Sequence, residues 1–397
     1  MTLPVLTELE GVEGARVMAR LDLNVPIADG VVQDDTRIVA ALPTLKWLGE
    51  RASVIAACSH LGKAKGAPDP AYSLAPVAPV LAGALGREVR FVDDCLDEAI
   101  ATAEPGTLLL LENLRFHRGE KADDPDFAAR LTAPFTHYVN DAFGTAHRAH
   151  ASVSAAPKSF KHGRKAAGFL MEREVAALTR VVNDPEQPFV AVVGGAKIST
   201  KTAPLEALLD RVRTLLIGGG MANTFLKAQG HPIGRSLVED EMLATAQAVM
   251  DKAAERGIEL LIPTDVVVAD GLDNPSRVEV VAADAIPADL MVVDLGPRSR
   301  ERCAAALAGA RTVFWNGPMG VFEIDDFAKG TLAVAEAMAE SPGFTVVGGG
   351  ESVLAIRRAG VVDRIDHVST GGGASLSFLT GEQLPALAVL EDRCEDF

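Results

Sequence analysis

The sequence predicts an α/β protein of two doubly wound parallel-sheet domains joined by a hinge helix, and three observations predict it. Short apolar runs alternate with segments of helical period nearly throughout, the pattern of parallel sheets flanked by helices. The 397 residues exceed what one compact core organises, and 48% hydrophobic residues are enough to fill two. A polar, basic break, Lys158 to Lys165, precedes one helical pattern, Gly168–Val182, which Asn183-Asp184-Pro185 stops. The expected division is therefore 1–168, a linking helix over 169–185, 186–376, and a C-terminal segment, 377–397, packing back on the first domain.

Strands are expected in the first half at Val17–Leu21, Val54–Cys58, Val89–Val92, Leu108–Leu111 and Tyr138–Val139, with helices at Thr36–Glu50, Ala75–Leu85 and Pro125–Thr132. In the second half they are expected at Val190–Val193, Leu215–Ile217, Leu260–Ile262, Val266–Ala269, Thr312–Phe314, Thr345–Val347 and Val368. Helical patterns there are Leu205–Leu209, Glu239–Arg256, Arg302–Leu307, Phe327–Ala339 and Ser352–Arg358. Ligands of doubly wound sheets gather beyond the carboxyl ends of the strands, so the polar residues at those ends carry the functional information.

Charge narrows the ligand class. A net charge of −16 argues against nucleic acid, which wants a basic footprint. Residues 1–168 hold 18 Lys/Arg against 21 Asp/Glu, whereas residues 169–397 hold 20 against 33, so the first half is the better host for a small anion. No apolar segment is long enough to span a bilayer, and the acidic start, Met1 to Gly14, lacks the parts of a signal peptide. The expectation is a soluble, cytoplasmic protein without a membrane partner. Cys58, Cys95, Cys303 and Cys394 lie scattered, without a CxxC or a His at ligand spacing, which suits reduced thiols and no cysteine metal cage.

Cations recur at strand ends. Arg20, Asp22 and Asn24 end the first strand, and alternate residues of a strand share a face, so these three should point together. Arg37 opens the next helix, Ser59-His60-Leu61-Gly62-Lys63 follows the second strand, and Glu112-Asn113-Leu114-Arg115 follows another. Asn140 to His150 follows the fifth and carries His147 and Arg148. Each alone reads as a surface ion pair. Five together suit a compact anion that needs several converging donors.

The second half supplies glycine turns after strands: Gly194-Gly195, Gly218–Gly220, Gly348–Gly350 and Gly371–Gly373. Glycine lets backbone approach a base or phosphate, and equally lets strand and helix pack tightly. After Gly194-Gly195, Lys197 and Lys201 stand four apart in what reads as a helix start, so both ammonium groups would share one face. That is a phosphate site, or a surface lysine behind an ordinary turn. It lacks the spacing of a Walker motif.

These stretches resemble the phosphoglycerate kinase family. Arg20-Leu21-Asp22-Leu23-Asn24-Val25-Pro26, Asp35-Thr36-Arg37, Ser59-His60-Leu61-Gly62, Leu111 to Phe116 and Asn140 to Ser152 are similar to that family's motifs in order. With the C-terminal motifs they cover nearly the whole chain. The resemblance implies two Rossmann-like domains, the first for phosphoglycerate and the second for nucleotide, and a monomer. It implies that Asp22, Leu23, Asn24, Arg37, His60, Leu61, Gly62, Lys63, Arg115 and Arg148 bind 3-phosphoglycerate or 1,3-bisphosphoglycerate. It also implies that Gly219 and Gly220 wall the adenine, that Asn316 and Glu323 contact the nucleoside, and that Lys201, Gly349, Gly350, Glu351 and Ser352 hold ATP or ADP. Glu351 would take Mg²⁺, while Arg37, Lys197 and Gly372 would act on the phosphoryl group in flight.

Three departures stand out against that family. Lys63-Ala64 replaces the usual Arg-Pro, keeping a charge but losing the guanidinium fork. Glu351-Ser352 replaces Asp-Thr or Asp-Ser, and the added methylene moves the carboxylate that Mg²⁺ needs in near-octahedral geometry. Leu376 to Glu382 lacks charges usual in that segment. The expected reaction is phosphoryl transfer between 1,3-bisphosphoglycerate and Mg·ADP after the domains close. A binding protein that kept the fold and lost turnover is the alternative. A dehydrogenase is disfavoured by the lack of G-x-G-x-x-G with an acid about twenty residues on.

Overall fold

The structure is a computed structural model that describes residues 3–391. The chain divides into two units: residues up to Ala176 with those from Gln383 onward, and Ala177–Glu382. Each unit is organised by its own six-stranded parallel sheet, as the α/β expectation requires.

The first unit runs β1 (Arg16–Leu21), a small hairpin of β2 (Ile27–Ala28) and β3 (Val31–Val32), α1 (Thr36–Gly49), β4 (Val54–Cys58), α2 (Val77–Leu85), β5 (Arg90–Val92) and β6 (Thr107–Leu111). It continues with α3 (Arg118–Lys121), α4 (Pro125–Thr132), β7 (His137–Asp141), β8 (Lys165–Ala167) and the first half of α5 (Phe169–Asn183). The sheet order is β5-β6-β4-β1-β7-β8, so β1 lies inside and is buried on both faces, which is why after Arg16 it is an apolar run interrupted only by Arg20. Local chemistry sets the helix ends. The Asp124 carboxylate accepts from the Asp126 and Phe127 amides, and Pro125 fills the first position of α4.

The second unit contains the rest of α5, β9 (Phe189–Val193), α6 (Thr202–Leu208), β10 (Thr214–Ile217), α7 (Gly220–Ala228), α8 (Leu243–Glu255), β11 (Glu259–Leu261), β12 (Asp265–Ala269), β13 (Val278–Ala282), β14 (Met291–Leu295), α9 (Pro297–Ala308) and β15 (Thr312–Asn316). It ends with α10 (Lys329–Glu340), β16 (Phe344–Gly348), α11 (Gly350–Arg358), β17 (His367–Val368) and α12 (Gly372–Leu379). Its parallel sheet is ordered β11-β10-β9-β15-β16-β17. The last described helix, α13 (Pro385–Glu391), lies in the first unit, where Ala386 donates to the Ala146 carbonyl at 3.2 Å.

Two expectations change. Val266–Ala269 was expected as one more parallel strand; as β12 it is the centre of a separate antiparallel sheet, β13-β12-β14. Its residues are largely buried, and such a run does not reveal the direction of its partners. Lys197 and Lys201 do not share a helical turn, because α6 begins only at Thr202 and the Ser199 amide is captured by the Glu239 carboxylate at 3.1 Å. Cys58, Cys95 and Cys303 are buried free thiols, and Cys394 lies outside the described residues. Among the described residues, no helix is long and apolar enough to cross a membrane.

Candidate active site

In the first unit, the carboxyl ends of β1, β4, β6 and β7 feed one constellation. The strand ends at Leu21, and Arg20, Asp22 and Asn24 each take a different partner within that constellation. Arg20 turns inward and is fully buried: Nε donates to Ser152 Oγ at 2.8 Å, Nη1 to the Leu21 carbonyl, and Nη2 to His60 Nδ1 at 3.3 Å. Asp22 Oδ2 accepts from Arg37 Nη1 at 2.6 Å. Asn24 Oδ1 accepts from the Gly62 amide at 2.8 Å, and Arg115 Nη1 donates to the Gly62 carbonyl at 2.6 Å. Gly62 sits at φ +59°, and a Cβ there would come 2.4 Å from the Tyr72 ring, so the turn requires glycine.

Electrostatics follow from this crowding. Burial, then Arg20, Arg115, Arg37 and Arg148 in turn, hold the His60 imidazole well below its usual range, so it is neutral. Since Arg20 donates to Nδ1, the ring proton sits on Nε2. Burial and the neighbouring Arg148 and Arg20 push Arg115 down to about 10. Its Nε is a buried donor without a partner, the kind of group an anion satisfies. Leu61 is buried and Leu23 donates its amide to Ser59 Oγ at 2.9 Å, so both shape the turn through backbone. Arg148 and Lys63 are exposed, and Arg148 Nε donates to His147 Nε2 at 3.2 Å.

The residues that sequence reading missed here are Glu120 and Ser152. Both are fully buried, and Glu120 accepts from Ser152 Oγ at 2.7 Å and from the Ser152 amide at 2.9 Å. Ser152 Oγ in turn receives Arg20, so Glu120 answers the buried guanidinium through a hydroxyl. Nothing in the local spacing signals a pairing across 32 residues.

In the second unit, Lys201 is the pivot. Its Nζ donates to the Gly194 carbonyl at 2.6 Å, the Asn316 carbonyl at 3.0 Å and Asn316 Oδ1 at 2.8 Å. Burial pushes its ammonium down to about 8, with Glu351 opposing. Asn316 therefore faces Lys201; its Nδ2 is buried without a partner and lies beside Gly349, where a Cβ would approach it to 3.0 Å. Gly349 has φ +92° and precedes α11, so the amides of Gly350, Glu351 and Ser352 form a first turn that has no intrahelical acceptor. The Ser352 hydroxyl is already taken by the Gly317 amide at 2.6 Å. Gly372, at φ +22°, opens α12, and its nearest neighbour beyond the chain is Gly349 Cα, 3.8 Å from a built Cβ. Lys197 is exposed.

Beside this turn lies a cavity of about 330 Å³ lined by Gly219, Gly220, Met291, Val321, Glu323 and Glu351, among others. Its apolar walls with a few polar groups suit a flat ring. The glycines divide into two kinds. A Cβ on Gly219 would lie 2.7 Å from Gly195 backbone and from the Pro318 carbonyl, so this turn is packed as well as open to the cavity. Gly350 has open space around it. Asp294, also on the cavity wall, was not anticipated; burial raises its carboxyl to about 7, Oδ2 accepts from the Gly330 amide at 2.8 Å, and Oδ1 is unpartnered.

Comparison with known proteins agrees with both halves. The family described as "Phosphoglycerate kinase" matches residues 6–382. The phosphoglycerate kinase of Thermomicrobium roseum is 51% identical over 383 residues, covering 96% of this chain and 97% of that protein. The one from Moorella thermoacetica is 48% identical over 392 residues, covering 98% and 99%. Among solved structures, phosphoglycerate kinase from Coxiella burnetii superposes with a TM-score of 0.89 at 42% identity, covering 99% of this chain and 100% of that one.

Proposed function

The chain belongs to the phosphoglycerate kinase family, and we propose on that premise that its two constellations are the two halves of one active site. The reaction moves a phosphoryl group between 1,3-bisphosphoglycerate and ADP to give 3-phosphoglycerate and ATP, a step of glycolysis.

The observation that carries the assignment is the convergence of Arg20, Arg37, Arg115 and Arg148 on one neutral imidazole, with Asp22 as the ion-pair partner of Arg37. Such a cluster is costly without an anion and suited to carboxylate and phosphate oxygens. Arg37, Arg115 and Arg148 bind the anionic groups of 3-phosphoglycerate. His60 donates from Nε2. Asp22 and Asn24 take substrate hydroxyl and hold the turn, while Leu23, Leu61, Gly62 and Lys63 frame it.

The nucleotide occupies the second unit, with adenine against Gly219 and Gly220 in the cavity and Glu323 at its rim. Its phosphates meet Lys201, the free Asn316 Nδ2 and the amides of Gly350, Glu351 and Ser352. Glu351 is an exposed carboxylate beside these amides, a hard oxygen donor of the kind Mg²⁺ uses together with substrate phosphates and water, so the residues present fit that ion. Bound there with the nucleotide, Mg²⁺ supplies charge neutralisation on the phosphate oxygens.

Transfer of this kind has a loose transition state with charge on three oxygens, so placement and positive charge do most of the work. No general base is needed, because the acceptor is already an anion. Arg37 and Lys197 act on the moving group, with the Gly372 amide as a further donor. These residues belong to different units, so reaction requires the units to close, which excludes water and limits ATP hydrolysis. Among the described residues Cys58, Cys95 and Cys303 are free thiols, and the proposed enzyme is a cytoplasmic monomer. Substituting Glu351→Ala should lower kcat or raise the apparent KM for Mg·ATP roughly tenfold or more. Kinetics unchanged across a Mg²⁺ titration would remove Glu351 from the metal site.

A further inference from the structure

Spacing along the chain left Cys95 without a partner, but the fold gives it two. Asp94, Cys95 and His117 each offer one ligand atom, and these atoms all lie within 4.8 Å of one another. Cys95 is buried, whereas Asp94 and His117 reach solvent, so an ion and a water have access from one side. The cluster is held from several directions. His117 Nε2 and Asp94 Oδ1 are 2.9 Å apart, and the same Oδ1 accepts from the Leu96 amide at 2.9 Å. The imidazole stacks on Phe127 with centroids 5.3 Å apart and planes at 27°. Its backbone amide closes the one-turn helix Leu114–Phe116 by donating to the Leu114 carbonyl at 3.1 Å.

We propose that Asp94, Cys95 and His117 bind a thiophilic divalent cation of the zinc type, with water as the fourth ligand. A thiolate, an imidazole and a carboxylate are a mixed S, N, O set; Mg²⁺ and Ca²⁺ prefer all-oxygen sites. Tetrahedral ligands at about 2.0 to 2.3 Å from an ion stand roughly 3.3 to 3.8 Å from one another, so side-chain rotations of about an ångström complete the geometry. Binding exchanges the His117–Asp94 hydrogen bond for two metal bonds. The Cys95 S–H bond breaks, an S–metal bond forms and the proton leaves to solvent; no electrons change hands. The His117 ring proton shared with Asp94 moves from Nε2 to Nδ1, so that the Nε2 lone pair is free for the ion. A bound ion ties the loop after β5 to the turn that carries Arg115, and it stabilises the fold by mass action. The three ligands include none of the phosphoryl-transfer residues, and the proposal does not depend on their roles.

The test titrates Co²⁺ into full-length, thiol-reduced, metal-free protein without nucleotide. The expected result is one cobalt per chain with a thiolate-to-cobalt charge-transfer band and tetrahedral d–d bands, bleached by Zn²⁺, and a Zn²⁺-dependent rise in Tm. Asp94→Asn at an exposed position and His117→Gln at a half-buried one should each weaken binding roughly tenfold or more. Cys95→Ser should remove the thiolate band. Absence of that band at stoichiometric cobalt, or a band that survives in both His117→Gln and Cys95→Ser, would overturn the site.

Discussion

On the proposed assignment, the two constellations solve the same problem, holding a phosphorylated anion, with opposite materials. In the first unit the donors are side chains: four guanidiniums about one imidazole, of which Arg20 and Arg115 are held by backbone carbonyls, Arg37 by Asp22, and Arg20 also by Glu120 acting through Ser152. In the second the donors are mostly backbone, where Gly349 and Gly372 bring two helix starts close to one another, with one desolvated ammonium, Lys201, held by Gly194 and Asn316. The difference teaches that the first site is specified by residue type and charge, and the second by what the chain leaves out.

The sharpest break of this comparison removes one guanidinium. Arg37→Ala should lower kcat/KM by roughly 10²- to 10³-fold, the scale for losing a charged donor to a transition state. Calorimetry should find its affinity for ADP unchanged and that for 3-phosphoglycerate weakened. Arg37→Lys should recover little, because the ammonium lacks the fork.

A pH titration addresses the second unit. Free Lys201 has an ammonium pushed down to about 8, and only the charged form attracts phosphate. Above that pH the ammonium must regain a proton to bind, so ADP affinity should fall as pH rises through about 8. In Lys201→Met this pH dependence should be lost; if it persists, another group is titrating. The smallest effect is expected at Glu120, a positioning residue. Glu120→Gln keeps the shape but removes the buried charge, and should raise the KM for 3-phosphoglycerate roughly fivefold with little change in the KM for ATP. Equal changes in both would indicate general destabilisation.

Legibility followed the same divide. His60 and Arg115 follow strands closely, Arg37 opens a helix, and all three declare their chemistry by type, so the first site was readable apart from its inner support. Glu120 reaches Arg20 through a serine 32 residues on, and no local pattern encodes that path. In the second unit the turns were visible as glycine runs, but which of them pack and which stay open depends on neighbours far along the chain. Gly219 meets Gly195 and Pro318, whereas Gly350 meets nothing nearby. The two lysines show the limit most clearly: four residues apart suggested one helical face, yet Lys201 turns in to Asn316 while Lys197 stays exposed. The antiparallel sheet around β12 was hidden because buried strands of either direction carry the same apolar residues.

The proposed mechanism has both units act on one phosphoryl group, and small-angle scattering tests that proposal most directly. With 3-phosphoglycerate and Mg·ADP bound together, the radius of gyration should fall below that of the free protein and below that with either ligand alone. A radius that does not change when both ligands are bound would contradict the closure on which the account rests.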